Sequence, residues 1–270
     1  MAPALSIVTV CLNDRAGLER TLDSVARQAF RDFELLVVDG GSTDGTVDLL
    51  RARSASLTRW VSEKDGGVYD AQNKGVGMAS GHWLLFLNAG DLLASDDALE
   101  RLFAAGLEPD LDLVYCDVLY EKHGVRRRSR PPDRLLLPYL MASSICTQAT
   151  LFRRERVEAV GRHDTSFRIL ADYDLVLRIL LGERGKVRKV PVTLAVHHQD
   201  GLSTRPELAD ELLAERREVQ RRWVPAPVLE LHADWLALRE RSLGGRVRAL
   251  FRPLAHALRD AVRRLRGRPG

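Results

Sequence analysis

Short apolar runs alternate with helical patterns over the first half of the chain. Continuous runs of aliphatic and β-branched side chains are typical of strands that are buried on both faces. Such runs occupy residues 5–10, 33–39, 57–63, 83–88 and 111–120. Between the first two runs, residues 16–29 place apolar side chains at spacings of three and four, which predicts a helix. Because strands and crossover helices alternate, we expect an α/β fold with a mainly parallel sheet flanked by helices.

The second half of the chain is less regular. Its pattern predicts a helix at residues 171–181, a strand at 186–196 and a charged helix at 207–223. The sequence VPAP then interrupts the helical pattern, and proline disfavours helix in the residue before it. We therefore expect a domain of residues 1–225, followed by a C-terminal helical extension of residues 226–270.

Polar loops follow four of the predicted strands, at residues 11–15, 39–46, 63–75 and 88–91, and the last three contain glycine. In a parallel sheet these loops lie at the carboxyl edge, where ligands bind. Carboxylates from the last three loops would converge there, and a divalent cation or N–H donors would relieve their repulsion. Hard oxygen ligands favour Mg²⁺ or Mn²⁺. The loops therefore predict a site for a nucleotide diphosphate bridged by a metal ion, and their spacing leaves the nucleotide open.

Two longer segments resemble a known family. Residues 6–46 have the sequence SIVTVCLNDRAGLERTLDSVARQAFRDFELLVVDGGSTDGT, and residues 62–91 have the sequence SEKDGGVYDAQNKGVGMASGHWLLFLNAGD. In this order they resemble family 2 glycosyltransferases of the GT-A fold, in particular the branch that acts in exopolysaccharide, colanic-acid-type and O-antigen assembly. The resemblance extends from residue 4 to about residue 205. It implies a Rossmann-like, GT-A-type catalytic domain.

The resemblance also implies which residues bind a nucleotide-diphosphate sugar. They comprise two residues of the first strand and its loop, the acid that contacts the nucleobase and ribose, three members of the YDAQNKG block, and the asparagine of NAGD. In chain order they are Thr9, Asn13, Asp39, Asp70, Asn73, Lys74 and Asn88.

The segment NAGD takes the place of the family's DxD metal signature. Asn88 stands where an acid is usual, so Asp91 is the carboxylate of this segment that would bind a metal ion. A histidine near the end of the matched region is a metal ligand in some GT-A enzymes, which makes His198 a second candidate. The resemblance therefore implies Mg²⁺ or Mn²⁺ as cofactor, with diphosphate oxygens completing the coordination shell.

The general base is implied by a later motif. LADYDLVLR, residues 170–178, resembles the family's EDYDLxLR block, whose first aspartate is the base of inverting members. Asp172 takes that position and would accept the proton of an acceptor hydroxyl. Asp174 lies two residues further along the helix and faces elsewhere, which predicts a structural role. Residues 145–155, ICTQATLFRRE, resemble an acceptor-side block, with Thr147 in place of its histidine.

Together the motifs predict a non-processive, inverting glycosyltransferase of cell-surface polysaccharide biosynthesis, with a saccharide or polyprenyl-linked acceptor. The sequence QRRW at residues 220–223 is one residue short of the QxxRW motif of processive synthases. Two other functions stay open. A sugar-nucleotide nucleotidyltransferase would have a glycine-rich, arginine-containing loop after its first strand, where this chain has CLNDRAG. A non-catalytic module that binds membranes or polyanions through the tail would leave the acidic loops unexplained.

Charge is unevenly distributed along the 270 residues, whose net charge is +4. Residues 241–270 contain nine arginines and one acid, a net charge of +8, so residues 1–240 carry −4. This distribution differs from that of a uniformly basic nucleic-acid-binding protein. Between residues 247 and 265 apolar side chains recur every three or four positions, with arginines on the other face. Such a helix is expected to lie on an anionic membrane surface.

The compartment is predicted from two further observations. The N-terminal sequence MAPALSIVTV lacks the basic n-region of a signal peptide. The three cysteines, Cys11, Cys116 and Cys146, are scattered and odd in number, which is typical of reduced packing residues. Apolar runs also stay well below the ~18 residues of a membrane-spanning helix. We therefore expect a cytoplasmic protein bound peripherally at the inner face of the cell membrane.

Overall fold

The computed structural model of the protein describes residues 2–199 and 204–241. The chain divides into two compact units between Trp223 and Val224. The helices and strands of the first unit are β1 (Leu5–Cys11), α1 (Arg15–Ala26), β2 (Phe33–Asp39), α2 (Thr46–Ala52), β3 (Arg59–Ser62), α3 (Val68–Met78), β4 (Trp83–Phe86), β5 (Leu92–Leu93), α4 (Ala98–Ala104), β6 (Leu113–Lys122), β7 (Val125–Ser129), α5 (Leu137–Ala142), β8 (Thr150–Arg153), α6 (Arg154–Ala159), α7 (Ala171–Leu177), β9 (Val187–His198) and α8 (Ala209–Trp223). In the second unit, α9 spans Ala226–Arg241.

The predicted basic amphipathic helix of residues 247–265 lies outside the described residues. The proposed division into residues 1–225 and 226–270 therefore stays a prediction. Within the described part of the chain, no helix is both long enough and apolar enough to span a membrane.

The strands form one sheet in the order β3-β2-β1-β4-β8-β6-β9-β5, with β7 paired to β6. The predicted parallel arrangement is found in β3, β2, β1 and β4. Beyond β4 the sheet is mixed, because β8 enters between β4 and β6 and runs antiparallel to both. The pairing of β6 with β9 is parallel again, with register shifts on either side of Asp117. The α/β fold is thus confirmed, and antiparallel strands that the apolar runs did not predict complete the sheet.

The core fills both faces of the sheet, as continuous apolar strands require. In β1, Leu5 and Ile7 pack into one hydrophobic cluster, with side chains of α1, α2 and α4. Val8 and Val10 pack into a second cluster on the opposite face, with side chains of α3, α6 and α7. Burial of each such aliphatic side chain stabilises the fold by about 1.5–3 kcal/mol. The polar loops at the carboxyl edge are therefore anchored to a rigid sheet.

Close packing of α3 against β1 depends on a glycine. A Cβ atom at Gly75 would lie 2.3 Å from Cγ1 of Val8, well inside van der Waals contact. The glycine of the YDAQNKG block therefore lets the helix approach the strand closely. This packing fixes the position of the first turn of α3, which faces the cavity described next.

Candidate active site

A cavity of about 600 Å³ lies beside the residues that follow β4. Its walls come from several parts of the first unit: α3, the segment after β4, α7, the end of β9 and α8. Each of these parts contributes at least one lining side chain. In the same order, examples are Tyr69, Asn88, Asp172, His197 and Arg216. The cavity therefore joins the parallel half of the sheet to the helices of the second half.

Asp172 lies in the first turn of α7 and lines this cavity. Its Oδ1 accepts hydrogen bonds from the backbone N of Tyr173 at 2.7 Å and the hydroxyl of Tyr69 at 3.2 Å. The hydroxyl of Thr147 donates to Oδ2 at 3.4 Å. Burial raises the pKa of Asp172 above its ordinary value of 3.8, although these hydrogen bonds oppose the shift. A carboxylate with a raised pKa is a stronger base than an exposed aspartate.

A carboxylate from α8 holds the segment that leads into α7. Oε1 of Glu215 accepts a hydrogen bond from the backbone N of Arg168 at 2.7 Å. Oε2 of Glu215 accepts from the backbone N of Ile169 at 2.9 Å and of Leu170 at 2.8 Å. Negative charge is favourable at the N-terminal end of a helix. The position of Asp172 therefore depends on α8 as well as on α7.

Asp174 is buried away from the cavity, with only 1% of its surface exposed. Its Oδ2 accepts from Nε of Arg178 at 3.1 Å, and its Oδ1 accepts from Nε1 of Trp223 at 2.7 Å. Both carboxylate oxygens are thus engaged by side chains within the fold. The arrangement agrees with the structural role predicted for this residue.

Asp91 is the second buried carboxylate near the cavity, and it contacts the end of β9. Its Oδ1 accepts a hydrogen bond from the backbone N of His198 at 3.0 Å and lies 2.9 Å from Nδ1 of His197. Burial alone would lower the pKa of His197, but the hydrogen bond and charge of Asp91 outweigh it and raise that pKa. Nε2 of the His198 ring lies 3.1 Å from Oε1 of Glu121, and its Nδ1 is buried with no hydrogen-bond partner within the described residues.

The donor set for a metal ion is small. Among the described residues, no group of three or more His, Cys, Asp or Glu side chains could hold a metal ion. Oδ1 of Asp91 already has two nitrogen neighbours, which leaves Oδ2 as the oxygen for a cation. One carboxylate fits Mg²⁺ or Mn²⁺ when substrate phosphates and water supply the other ligands. The residues present therefore fit a cation that is bound together with a diphosphate.

The residues predicted for the nucleobase and ribose connect the loops after β1 and β2. Asp39 is buried at the end of β2, where its Oδ2 accepts from the backbone N of Ser42 at 3.0 Å. Asn13 has a positive φ of 51°, and its Oδ1 accepts from the backbone N of Thr43 at 2.9 Å. Thr9 is fully buried inside β1, and its Oγ1 has no hydrogen-bond partner within the described residues. Asp39 and Asn13 therefore shape the loops, and Thr9 belongs to the core.

The YDAQNKG block has three separate structural roles. Oδ2 of Asp70 accepts from the backbone N of Gly66 at 2.9 Å, which closes the turn before α3. The side-chain amide of Asn73 bonds both backbone groups of His163, each at 2.9 Å. Nζ of Lys74 lies 2.8 Å from Oε1 of Glu63, and this ion pair raises the lysine pKa. The block thus holds α3 to the loop between β3 and α3 and to the segment that precedes α7.

Among the predicted residues, Asn88 and Asp172 line the cavity together, and Asp91 adjoins it through His197. Sequence reasoning missed Tyr69, which contacts Asp172 although it lies next to Asp70 in the YDAQNKG block. It also missed Gln72, whose Nε2 donates to Oδ1 of Asn88 at 3.0 Å, and Glu215 and Arg216. Tyr69 and Gln72 could have been found, because both belong to the YDAQNKG block that the family resemblance had singled out. Nothing in the charged pattern of α8 distinguishes Glu215 or Arg216 from neighbouring charges.

A family model for "Glycosyl transferase family 2" matches residues 6–168, more than half of the chain. A relative from Mycobacterium tuberculosis named "PGL/p-HBAD biosynthesis glycosyltransferase" is 39% identical over 205 residues, which cover 74% of this chain and 78% of the relative. A Haemophilus influenzae protein named "Uncharacterized glycosyltransferase" is 26% identical over 182 residues, which cover 65% of this chain and 62% of the relative. The chain therefore belongs to glycosyl transferase family 2.

Solved structures of glycosyltransferases share the fold. S. aureus TarS 1-349 in complex with UDP superimposes with a TM-score of 0.65 and 16% identity, over 93% of this chain and 75% of that one. The mannosyltransferase PcManGT from Pyrobaculum calidifontis, in complex with GDP-Man and Mn²⁺, superimposes with a TM-score of 0.59 and 18% identity. The superposition covers 92% of this chain and 83% of that one. The GT-A fold is thus confirmed. With the family match, it makes this protein a transferase that moves a sugar from a nucleotide-sugar donor, and the match favours this function over both alternatives.

Proposed function

We propose that this protein is an inverting, non-processive glycosyltransferase in which Asp172 is the general base. The observation that carries the proposal is the environment of Asp172: a carboxylate that lines the cavity, is held by Tyr69 and Thr147, and has a raised pKa. Its neighbour Asp174 has both oxygens engaged by Arg178 and Trp223 and is not available for this role.

The chemistry is a single displacement at the anomeric carbon of the donor. The acceptor oxygen forms a bond to that carbon while the bond from the carbon to the diphosphate oxygen breaks. The hydroxyl proton passes to Asp172, and the nucleoside diphosphate leaves with the bonding electron pair. Because attack comes from the side opposite the leaving group, an α-linked donor gives a β-linked product.

The donor would occupy the carboxyl edge of the parallel strands. Asn13 and Asp39 would border the nucleoside, and Asn88 would contact the donor inside the cavity, beside Gln72. Asp70, Asn73 and Lys74 would act mainly by holding α3 and its preceding loop, while Thr9 would support the strand beneath.

Asp91 would hold Mg²⁺ or Mn²⁺ through its Oδ2 together with the donor diphosphate. The cation supplies positive charge that stabilises the leaving diphosphate. The contact with His197 and the backbone of His198 fixes the orientation of the Asp91 carboxylate. In His198, Nε2 contacts Glu121, so only its Nδ1 would remain for a metal ion.

The acceptor would be a saccharide or polyprenyl-linked saccharide of cell-surface biosynthesis, reached at the inner face of the cell membrane. The relative named for PGL/p-HBAD biosynthesis supports a biosynthetic role. In α9, Leu231, Trp235 and Leu238 recur at spacings of four and three and are at least half exposed. Together with the arginines of residues 241–270, these side chains support contact with an anionic membrane surface.

Thermal unfolding with UDP, GDP and dTDP and their common sugar conjugates, each with and without Mn²⁺, tests the proposed donor site. A ligand at a hundred times its Kd stabilises by about 2.7 kcal/mol, which should raise the Tm by roughly 5–10 °C. We expect a selective shift that is larger with metal. In Asp91→Asn we expect the metal-dependent part of the shift to be lost. The absence of a shift with every nucleotide would contradict the proposed donor.

Deletion of residues 242–270 tests the membrane contact separately. We expect the full chain to sediment with vesicles that contain anionic lipid, and the shortened chain to remain in solution. Equal sedimentation of the two chains would contradict this part of the proposal.

A further inference from the structure

Arg216 has a buried guanidinium nitrogen without a hydrogen-bond partner. Its Nη1 is inaccessible to solvent and donates no hydrogen bond within the described residues. Its Cζ lies 4.7 Å from the centroid of the Tyr173 ring, a cation–π contact. The guanidinium lines the cavity that also contains Asp172. A buried, unpaired donor of this kind is unfavourable unless a ligand satisfies it.

The acidic residues nearest along α8 are engaged elsewhere. Oε2 of Glu211 lies 3.2 Å from Nη1 of Arg168. Both oxygens of Glu215 accept backbone N–H groups of the segment before α7. Glu218 pairs with Arg221 at 2.8 Å and with Arg222 at 3.3 Å. Within the described residues, no carboxylate lies within ion-pair distance of Arg216, so its positive charge is available to a ligand in the cavity.

The surroundings of Arg216 differ from those of the proposed donor residues. Tyr173, on which it stacks, belongs to a cluster of buried residues that includes Leu140 of α5 and Val219 of α8, and that reaches α3 through Tyr69. The proposed donor residues follow β1, β2 and β4 instead. Tyr173 also follows Asp172 directly in the chain, and Leu212, one helical turn before Arg216, lines the cavity too. A group bound at Arg216 would therefore lie on the α8 side of the general base.

We propose that Arg216 binds a phosphate or carboxylate group of the acceptor, on the α8 side of the reacting hydroxyl. The inference rests on the proposed function, since it assigns the two sides of Asp172 to acceptor and donor. A guanidinium binds either anion through paired, charge-assisted hydrogen bonds, which Lys cannot reproduce in the same geometry. The acceptor is then an anionic saccharide or a sugar phosphate, and Leu212 would contact an apolar part of it.

Anion binding to the full chain tests the proposal, with inorganic phosphate and acetate as the probes. Binding is followed by NMR or calorimetry with the donor site saturated by the nucleoside diphosphate found in the thermal screen. Arg216→Gln removes the guanidinium and Arg216→Lys keeps only the charge. Arg217→Gln, an exposed arginine next along the same helix, is the matched control.

We expect Arg216→Gln to weaken binding of one anion by about tenfold or more, Arg216→Lys by less, and Arg217→Gln not at all. Dependence of phosphate binding on Arg216 identifies a phosphorylated acceptor, and dependence of acetate binding identifies a carboxylate. Anion binding that is unchanged in Arg216→Gln would overturn the proposal. So would an equal loss of nucleoside diphosphate affinity in that variant, because Arg216 would then be a donor ligand.

The two proposals fail in different ways. If the protein binds no nucleoside diphosphate, the proposed donor site is wrong, and the anion titrations are then run without nucleotide. If nucleotide binding is intact and anion binding does not depend on Arg216, only the acceptor inference is wrong. Far-ultraviolet circular dichroism and the Tm of each variant confirm that it is folded, and Arg216→Lys provides the comparison should Arg216→Gln unfold.

Discussion

The carboxylates of the nucleotide-side loops and those around the cavity are held in different ways. Asp39 and Asp70 accept backbone N–H groups only three and four residues away in the chain. Asp172 is held by Tyr69, 103 residues away, and Asp91 by His198, 107 residues away. Local hydrogen bonds shape loops, whereas the proposed chemical groups lie where distant parts of the chain meet.

This difference has an energetic consequence. Asp39 is also buried, but Ser42 and Ser62 donate hydrogen bonds to its carboxylate, so its substitution should affect mainly the loop and the ligand that the loop binds. A carboxylate inside a cavity loses hydration, and its pKa rises unless enough donors replace the water. Asp172 has such a raised pKa. We therefore expect substitutions in the two regions to change different measured quantities.

The largest expected effect is on the rate of transfer. Asp172→Asn should lower kcat by about 10²–10⁴-fold, because the acceptor hydroxyl loses its base, while donor affinity stays close to that of the wild type. Asp39→Asn should instead weaken nucleotide binding. Steady-state kinetics and nucleotide titration of both variants measure the contrast. Near-normal kcat in Asp172→Asn would remove the distinction between the regions.

Support of α7 by α8 predicts the next largest effect. Glu215→Gln weakens three charge-assisted hydrogen bonds and should destabilise the protein by about 1–3 kcal/mol, with kcat lowered more than nucleotide affinity. Glu211 lies on the same helix as Glu215. Glu211→Gln breaks the surface ion pair of Glu211 with Arg168 and should destabilise the protein by less than about 1 kcal/mol. Urea denaturation and kinetics of the two variants compare them. Equal effects would mean that Glu215 does not position α7.

A third variant tests the close packing that supports the nucleotide side. Gly75→Ala places a Cβ against Val8 and should destabilise by about 1–3 kcal/mol. Gly77→Ala, on the same helix, meets only the side chain of Arg162 at 3.3 Å and should be neutral or slightly stabilising. Thermal unfolding of both variants provides the measurement. Similar Tm values for the two would show that α3 can move away from β1 without loss.

The smallest expected effect is a pH-dependent change in stability. The folded-state pKa of Asp172 is raised, so the folded protein binds this proton more tightly than the unfolded chain. Stability is therefore lost as the pH rises from the ordinary value of 3.8 through the raised pKa. We expect Asp172→Asn to be more stable than the wild type at neutral pH, with the excess disappearing below pH 3.8. Urea denaturation across this range measures it, and a constant difference would contradict the raised pKa.

The parallel half of the fold could be predicted from the sequence because its strands are continuous apolar runs. The runs at residues 5–10 and 33–39 correspond closely to β1 and β2. By contrast, β8 has only four residues and β5 only two, too few for periodicity to distinguish them from loop. The antiparallel part of the sheet was therefore missed.

The candidate site was predictable where a motif contained it. The resemblance indicated Asp172 and Asp91, and the structure places one in the cavity and the other beside it. Glu215 and Arg216 could not be found, because their roles depend on how α8 packs against α7, and many charged residues of α8 have the same local pattern. Contacts between elements distant in sequence thus determine which charges are functional candidates.

The configuration of the first product tests the central claim most directly. Donor with an α-linked sugar is incubated with the full-length protein and acceptor, and the anomeric proton of the product is followed by NMR before any equilibration. A single displacement with Asp172 as base predicts a β-linked product from the first turnover, and no measurable product in the same time with Asp172→Asn. An α-linked product would contradict the account, because retention requires a different mechanism and a different role for Asp172.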